Sequence, residues 1–200
     1  MAAQVQRRVT EVEPALEAAR VRASYLKHVL ECVDALPNAA AADIRARLGP
    51  ALAAIDGATR VDWLPPEVPL ALIAAAEEVL GSAGMLRLYR AAMQSSLKGK
   101  LLSPLFSAVA RMFGLSPERI FRSAPAGFAS IWRDAGEIAV ESSDPGCVVL
   151  HHTGIPVALR SSGFLAATAA SFEVIPAECG LPGRSEVSRD GNGARYTIRW

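Results

Sequence analysis

Cysteine and histidine are scarce, three of each in 200 residues. Cys32, Cys147 and Cys179 form an odd, widely spaced set, which does not read as a disulfide framework. Charge of one sign is lacking too. The net charge is +1, so no global field directs the chain to nucleic acid or acidic lipid. No apolar run approaches the ~18 residues of a membrane span, and the richest stretches, such as Pro69–Ala76, stop at charges. Met1–Glu11 lacks an apolar signal-type segment, so the expected compartment is the reducing cytoplasm. The phosphate-binding and nucleophile-elbow fingerprints are missing. Gly191 and Gly193 make a G-x-G pair, but a hairpin rather than a helix follows it.

What is present is a folding chain. Apolar residues make up 51% and charged residues 20%, a globular balance. The length suits one domain with a substantial core. Residues 1–14 are polar and expected to be loosely held. From 15 to 136 the pattern is mainly helical. Leu16, Ala19, Tyr25, Leu26, Val29, Leu30 and Val33 recur at helical spacing behind Pro14. Asn38 is placed to cap a helix over 39–48, and Gly49-Pro50 ends it. A loop is expected near 56–63, and Pro65-Pro66 opens a helix to about Leu80. Gly81 and Gly84 punctuate the next junction. Two more helices are expected, one on Leu86, Leu88, Tyr89 and Met93. The other rests on Leu101, Leu105, Val109, Met112 and Phe113, with Gly114 as its stop. Phe128 and Trp132, four apart, are expected on one helix face.

The period changes after Gly136. Ile138 and Val140 alternate with polar neighbours, Ser143-Asp144-Pro145-Gly146 is a turn, and Cys147–Leu150 is an apolar β-branched run. Ser161 or Ser162 is placed to cap a helix through Glu178, with Leu165, Ala169, Phe172 and Ile175 inward. Pro176 is expected to bend its last turn, and Gly180 suits the C′ position. Asp190-Gly191-Asn192-Gly193 is a hairpin turn, after which Tyr196, Ile198 and Trp200 face inward. The expected architecture is α+β: an N-terminal helical part packed on a small antiparallel sheet. Two hairpins joined by a helix, residues 137–200, make that sheet.

Candidate chemistry is thin. His28 and Cys32 share a helix face, and Cys147 and His151 share a strand face. Four strand residues span about 13 Å, whereas a zinc ion holds its ligands within ~2.3 Å. His151 and His152 point to opposite faces, so no metal set is expected. Cys147, inside a Val/Leu run, reads as a small buried hydrophobe rather than a nucleophile. Glu137, Glu141, Glu173 and Glu186 fall where wet faces are expected, so no carboxylate pair for acid–base work emerges. From Met85 to Asp134 eight Lys/Arg stand against two acids. The aromatics among them (Tyr89, Phe106, Phe113, Phe121, Phe128, Trp132) have core spacing, so nucleic-acid binding is not expected. Helices over one sheet face leave room for an apolar pocket. The small residues Ala166, Ala167, Ala169 and Ala170 give either tight packing or space there.

Three stretches carry a resemblance: Val21–Leu30, Pro125–Glu137 and the terminal Tyr196–Trp200. Together they resemble an uncharacterised, lineage-restricted bacterial family, a domain of unknown function. Its element order is similar to a wider fold shared by haem–nitric oxide sensors, 4-vinyl-reductase-type regulatory domains and TRAPP subunits. The resemblance implies an apolar pocket between helices and sheet, and a homodimer formed through helices. The haem sensors use a helix histidine as iron ligand, but His28, His151 and His152 do not fall on the corresponding middle helix. The cysteine pair of the vinyl-reductase type is replaced around Ala194, and Cys179 has no partner there. No catalytic, cofactor or metal residue is carried over. The expectation is a non-enzymatic module that binds a small apolar ligand or a protein partner. The alternative is a haem or gas sensor.

Overall fold

Alternation and turn chemistry build the larger sheet. We describe the protein from a computed structural model, which covers residues 19–98, 102–104, 107, 108, 111 and 116–200. The expectations for residues 1–14 and for a helix ending at Gly114 lie outside the described residues. Strands β4 (Glu137–Asp144), β5 (Cys147–Thr153), β6 (Arg184–Asp190) and β7 (Gly193–Arg199) form an antiparallel sheet in the order β4-β5-β7-β6. Each hairpin closes through two residues, Pro145-Gly146 and Gly191-Asn192. Gly146 (φ 81°) and Gly191 (φ 56°) take the left-handed conformations those tight loops need. One sheet face is the core. Val148, Leu150 and His152 of β5 pair across to Ile198, Tyr196 and Ala194 of β7, and all six are buried. Cys147, Val149 and His151 take the other face of β5.

Between the hairpins runs α7 (Ser162–Phe172), preceded by a 3-10 turn (Val157–Arg160) and followed by the short α8 (Val174–Glu178). Ser161 accepts a 3.2 Å hydrogen bond from the Phe164 amide, a cap worth about 1 kcal/mol. The break falls earlier than expected. A proline ring collides with the carbonyl four residues back, which for Pro176 belongs to Phe172, and α7 ends there. α8 closes in a Schellman motif. The Gly180 amide (φ 78°) donates to Ala177 O and the Leu181 amide to Pro176 O, both at 3.0 Å.

The helical layer is α1 (Ala23–Asp34), α2 (Asn38–Leu48), α3 (Pro50–Gly57) and the long α4 (Glu67–Lys98), which packs on α1, α2 and α7. Gly81, at φ 68° and ψ 169°, breaks α4 into two helices, whereas Gly84 stays helical. By length and composition α4 contains a window apolar enough to cross a membrane, with mean hydropathy 1.4. In this fold that stretch lies among the other helices, and 44% of it is buried. The interrupting charges, Glu77 and Glu78, are too few to break the window. α5 (Pro117–Phe121) and α6 (Ala124–Ile131) then lead into the sheet unit.

Three departures from the sequence pattern share one cause. Arg20–Arg22 is a strand (β1), so the first helix begins at Ala23. Trp63–Leu64 (β2) and Trp132–Arg133 (β3) pair with it on either side, in the order β2-β1-β3. Trp132 therefore leaves the helix of Phe128, although the two rings still stack at 6.3 Å. Trp63 is clasped between Arg22 and Arg133, whose guanidinium carbons lie 4.3 and 4.1 Å from its ring centroid. Asn38 makes no side-chain cap, because Pro37 takes the N-cap position.

Candidate functional site

A cavity of about 100 Å³ lies between the helical part and the hairpin-helix-hairpin unit. It has room for several water-sized spheres. α1 contributes Tyr25, and α4 contributes Pro69, Ile73, Tyr89, Met93 and Leu97. Phe128 and Ile131 of α6 and Trp132 of β3 close one side. Phe164, Ala167, Thr168, Ser171 and Phe172 of α7 close the other. α7 turns its small residues this way, so Ala167 leaves volume while Ala169 and Ala170 are buried in the packing.

An aromatic frame holds the walls. Trp132 meets Phe164 edge-on at 5.2 Å, and Phe172 meets Tyr196 edge-on at 5.4 Å. Behind Phe128 stands His152, in edge contact at 4.9 Å. His152 is wholly buried. Its Nε2–H donates to Ala135 O at 2.9 Å, which leaves Nδ1 to accept from the Tyr196 hydroxyl at 3.4 Å. Burial pushes its pKa down to about 4, against the opposing bond to Ala135 and with a small contribution from His151.

The polar groups on the lining are hydroxyls. Ser123, Thr168 and Ser171 donate to the helix carbonyls of Ile120, Phe164 and Ala167 at 2.7, 2.9 and 2.9 Å. Tyr25 is hydrogen-bonded to Ser171, and its burial pushes the phenol up to about 12. The Tyr89 hydroxyl has no partner among the described residues. Burial, and Tyr25 beside it, hold its pKa well above the usual phenol value.

The residues singled out in the sequence lie elsewhere. His28 bonds Glu31 at 3.0 Å on α1, and His151 faces Asp190 at 3.2 Å on the outer sheet face. Cys32, Cys147 and Cys179 are half-buried, and none of them lines the cavity. Among the described residues no group of three His, Cys, Asp or Glu side chains is placed to hold a metal. Glu141 and Glu186 are exposed and pair with Arg195 (2.8 Å) and Arg199 (3.2 Å). Glu173 departs from expectation. It is mostly buried, accepts from the amide and hydroxyl of Ser185 at 2.9 and 2.8 Å, and pairs with Arg90. Part of the basic surplus therefore ties α4 to the sheet unit.

No protein-family model matches the chain, and no curated protein matches it. Solved structures do. The Fe(II) unliganded H-NOX protein from K. algicida aligns with a TM-score of 0.59 at 9% identity, over 89% of this chain and 95% of that one. A Cs H-NOX mutant carrying the unnatural amino acid 4-cyano-L-phenylalanine aligns at 0.55 and 8%, over 89% and 94%. An oxygen-binding H-NOX domain related to soluble guanylate cyclases aligns at 0.53 and 10%, over 89% and 93%. At such identities the likeness is one of fold. The α+β architecture of this chain is similar to that of the haem–nitric oxide sensor domains along nearly its whole length.

Proposed function

We propose that the protein is a non-enzymatic sensing or binding module whose ligand, a small and mainly apolar molecule, enters the cavity between α4, α6 and α7. The apolar lining carries this reading. It presents no carboxylate, amine, imidazole or thiol among the described residues, so it offers no nucleophile–base pair. What it offers is aromatic and aliphatic surface with a few hydroxyls, the composition of a recognition pocket. The H-NOX-like fold supports it, since one solved neighbour of that fold is an oxygen-binding domain.

Titration with benzene or toluene tests the reading by thermal melting and amide NMR. At ten times Kd a ligand confined to the native state adds about 1.4 kcal/mol of stability. The expected result is a concentration-dependent rise in Tm, with shift changes centred on α6 and α7. Ala167→Leu fills the cavity and is expected to abolish both. No response to any uncharged C6–C8 probe would sink the proposal.

Haem is the second reading, and the solved neighbours favour it directly: one is described as a probe of haem distortion in the H-NOX family. The donors here fit it poorly. All three histidines and all three cysteines of the chain are placed, and none lines the cavity. No described lining residue is cationic, so the porphyrin carboxylates would be buried without partners. Tyr25, Tyr89 and Met93 are the remaining lining groups able to reach a metal. Burial holds both phenols in the protonated form, which opposes ligation as phenolate. Protein refolded or expressed with excess haem is expected to show no Soret band after desalting. A stoichiometric band would reverse this preference.

A further inference from the structure

We infer that Tyr89 is the polar contact of the cavity, and that the ligand is an uncharged molecule bearing one hydrogen-bond-accepting oxygen on an otherwise apolar body. This rests on the cavity reading above and specifies the chemistry of its occupant. Five described lining residues carry a hydroxyl: Tyr25, Tyr89, Ser123, Thr168 and Ser171. The three aliphatic hydroxyls spend their protons on backbone carbonyls three or four residues back along the chain. Since Ser171 donates to Ala167 O, its oxygen is left to accept from Tyr25. Tyr89 alone of the five keeps an uncommitted O–H.

That side chain is 3% exposed, and its hydroxyl has no described partner. A buried donor without an acceptor is a standing cost to the fold, which natural cores avoid unless something else satisfies the group. An accepting oxygen on the ligand does so. Burial holds the phenol's pKa well above its usual value, so at neutral pH it is a donor. The described lining supplies no cation, so a carboxylate or phosphate head would enter unpaired. The class that fits is therefore a small neutral ketone, aldehyde, ester or alcohol. The other buried hydroxyl without a partner, Ser24, does not line the cavity and plays no part.

The test is a matched pair of probes on two proteins. Cyclohexanone and methylenecyclohexane have the same ring and differ in C=O against C=CH2. Each is titrated by NMR into wild type and Tyr89→Phe. Removing an unpaired hydroxyl leaves the packing intact, so Tyr89→Phe is expected to melt at or above the wild-type temperature. Cyclohexanone is expected to bind Tyr89→Phe about tenfold more weakly than wild type. Methylenecyclohexane is expected to bind both within twofold. The C=O stretch of bound cyclohexanone should lie lower in wild type than in Tyr89→Phe. Equal cyclohexanone affinity in the two proteins, with methylenecyclohexane still bound, overturns the role of Tyr89 and leaves the cavity reading standing. If neither probe binds wild type, the cavity reading falls and this inference falls with it.

Discussion

Gly136→Ala is expected to cost about 3–4 kcal/mol, read as a drop in urea midpoint at unchanged m-value. Two penalties meet at this position. Gly136 sits at φ 91°, where an L side chain is strained. A Cβ there would also run into Thr153 O, far inside van der Waals contact, and come within 3.0 Å of His152 Nε2 and 3.1 Å of the Gly154 carbonyl carbon. The obstruction is backbone locked in the β4–β5 pairing, since Glu137 pairs with Thr153. It cannot rotate away as a side-chain tip would. Gly191→Ala is the control. Gly191 is also left-handed, at φ 56°, but a Cβ there meets nothing within 4 Å. Its expected cost is the conformational part alone, about 1–2 kcal/mol. Equal losses at the two positions would show that the close approach at Gly136 is not what matters.

The same short connection explains a buried histidine that the alternation of β5 only half reveals. Period two puts His152 on the face of Val148 and Leu150, hence inward, and says nothing of what receives an imidazole there. The receiver is Ala135 O. It is turned inward by a connection that needs left-handed backbone at Asp134 (φ 50°) and at Gly136 (φ 91°). Asp tolerates that conformation and Gly prefers it, so Asp134-Ala-Gly136 carried a legible turn signal. Its target, seventeen residues on, did not show in the sequence.

Local chemistry made the hairpin-helix-hairpin unit legible. Two-residue loops with glycine, a serine cap and a glycine C′ each act within a few residues. The β2-β1-β3 sheet was illegible for the opposite reason. Strands of two or three residues have no period, and Val21 pairs with Leu64 and Trp132 at long range. Glu173 was misread because a carboxylate on a helix is normally wet, whereas here the Pro176 break leaves it beside Ser185 and Arg90. Layering left room for the cavity without deciding it against tight packing. Its lining was not legible, since it converges from α1, α4, α6, β3 and α7. Its one informative group, Tyr89, looks in the sequence like any other core aromatic.

Lowering the pH from 7 to 5 is expected to remove about 2 kcal/mol of stability through His152 alone. Its native pKa, pushed down to about 4 by burial, lies below the ordinary value of 6.5. Above pH 6.5 both states are neutral and the native state keeps its full advantage. Between 6.5 and 4 the unfolded chain takes up a proton that the native state refuses, so stability falls as pH falls. Below 4 both states are charged and the loss levels off at ~3.5 kcal/mol, about 1.4 kcal/mol for every pH unit that separates the two values. The carboxylates Glu31 and Asp34, whose pKa values are lowered beside Arg60 and Arg45, act on the acid side of this window. Their ordinary values are 4.5 and 3.8. His152→Gln separates the two. A glutamine amide keeps a donor for Ala135 O but does not titrate, so the slope between pH 7 and 5 should flatten while the fall below pH 4.5 remains. An unchanged slope would remove His152 as its source. Because His152 stands behind Phe128, charging it acts on the cavity wall as well as on the fold. Native His152 takes up its proton only as the pH falls toward 4, so probe affinity should hold between pH 7 and 5 and weaken below that, in wild type but not in His152→Gln.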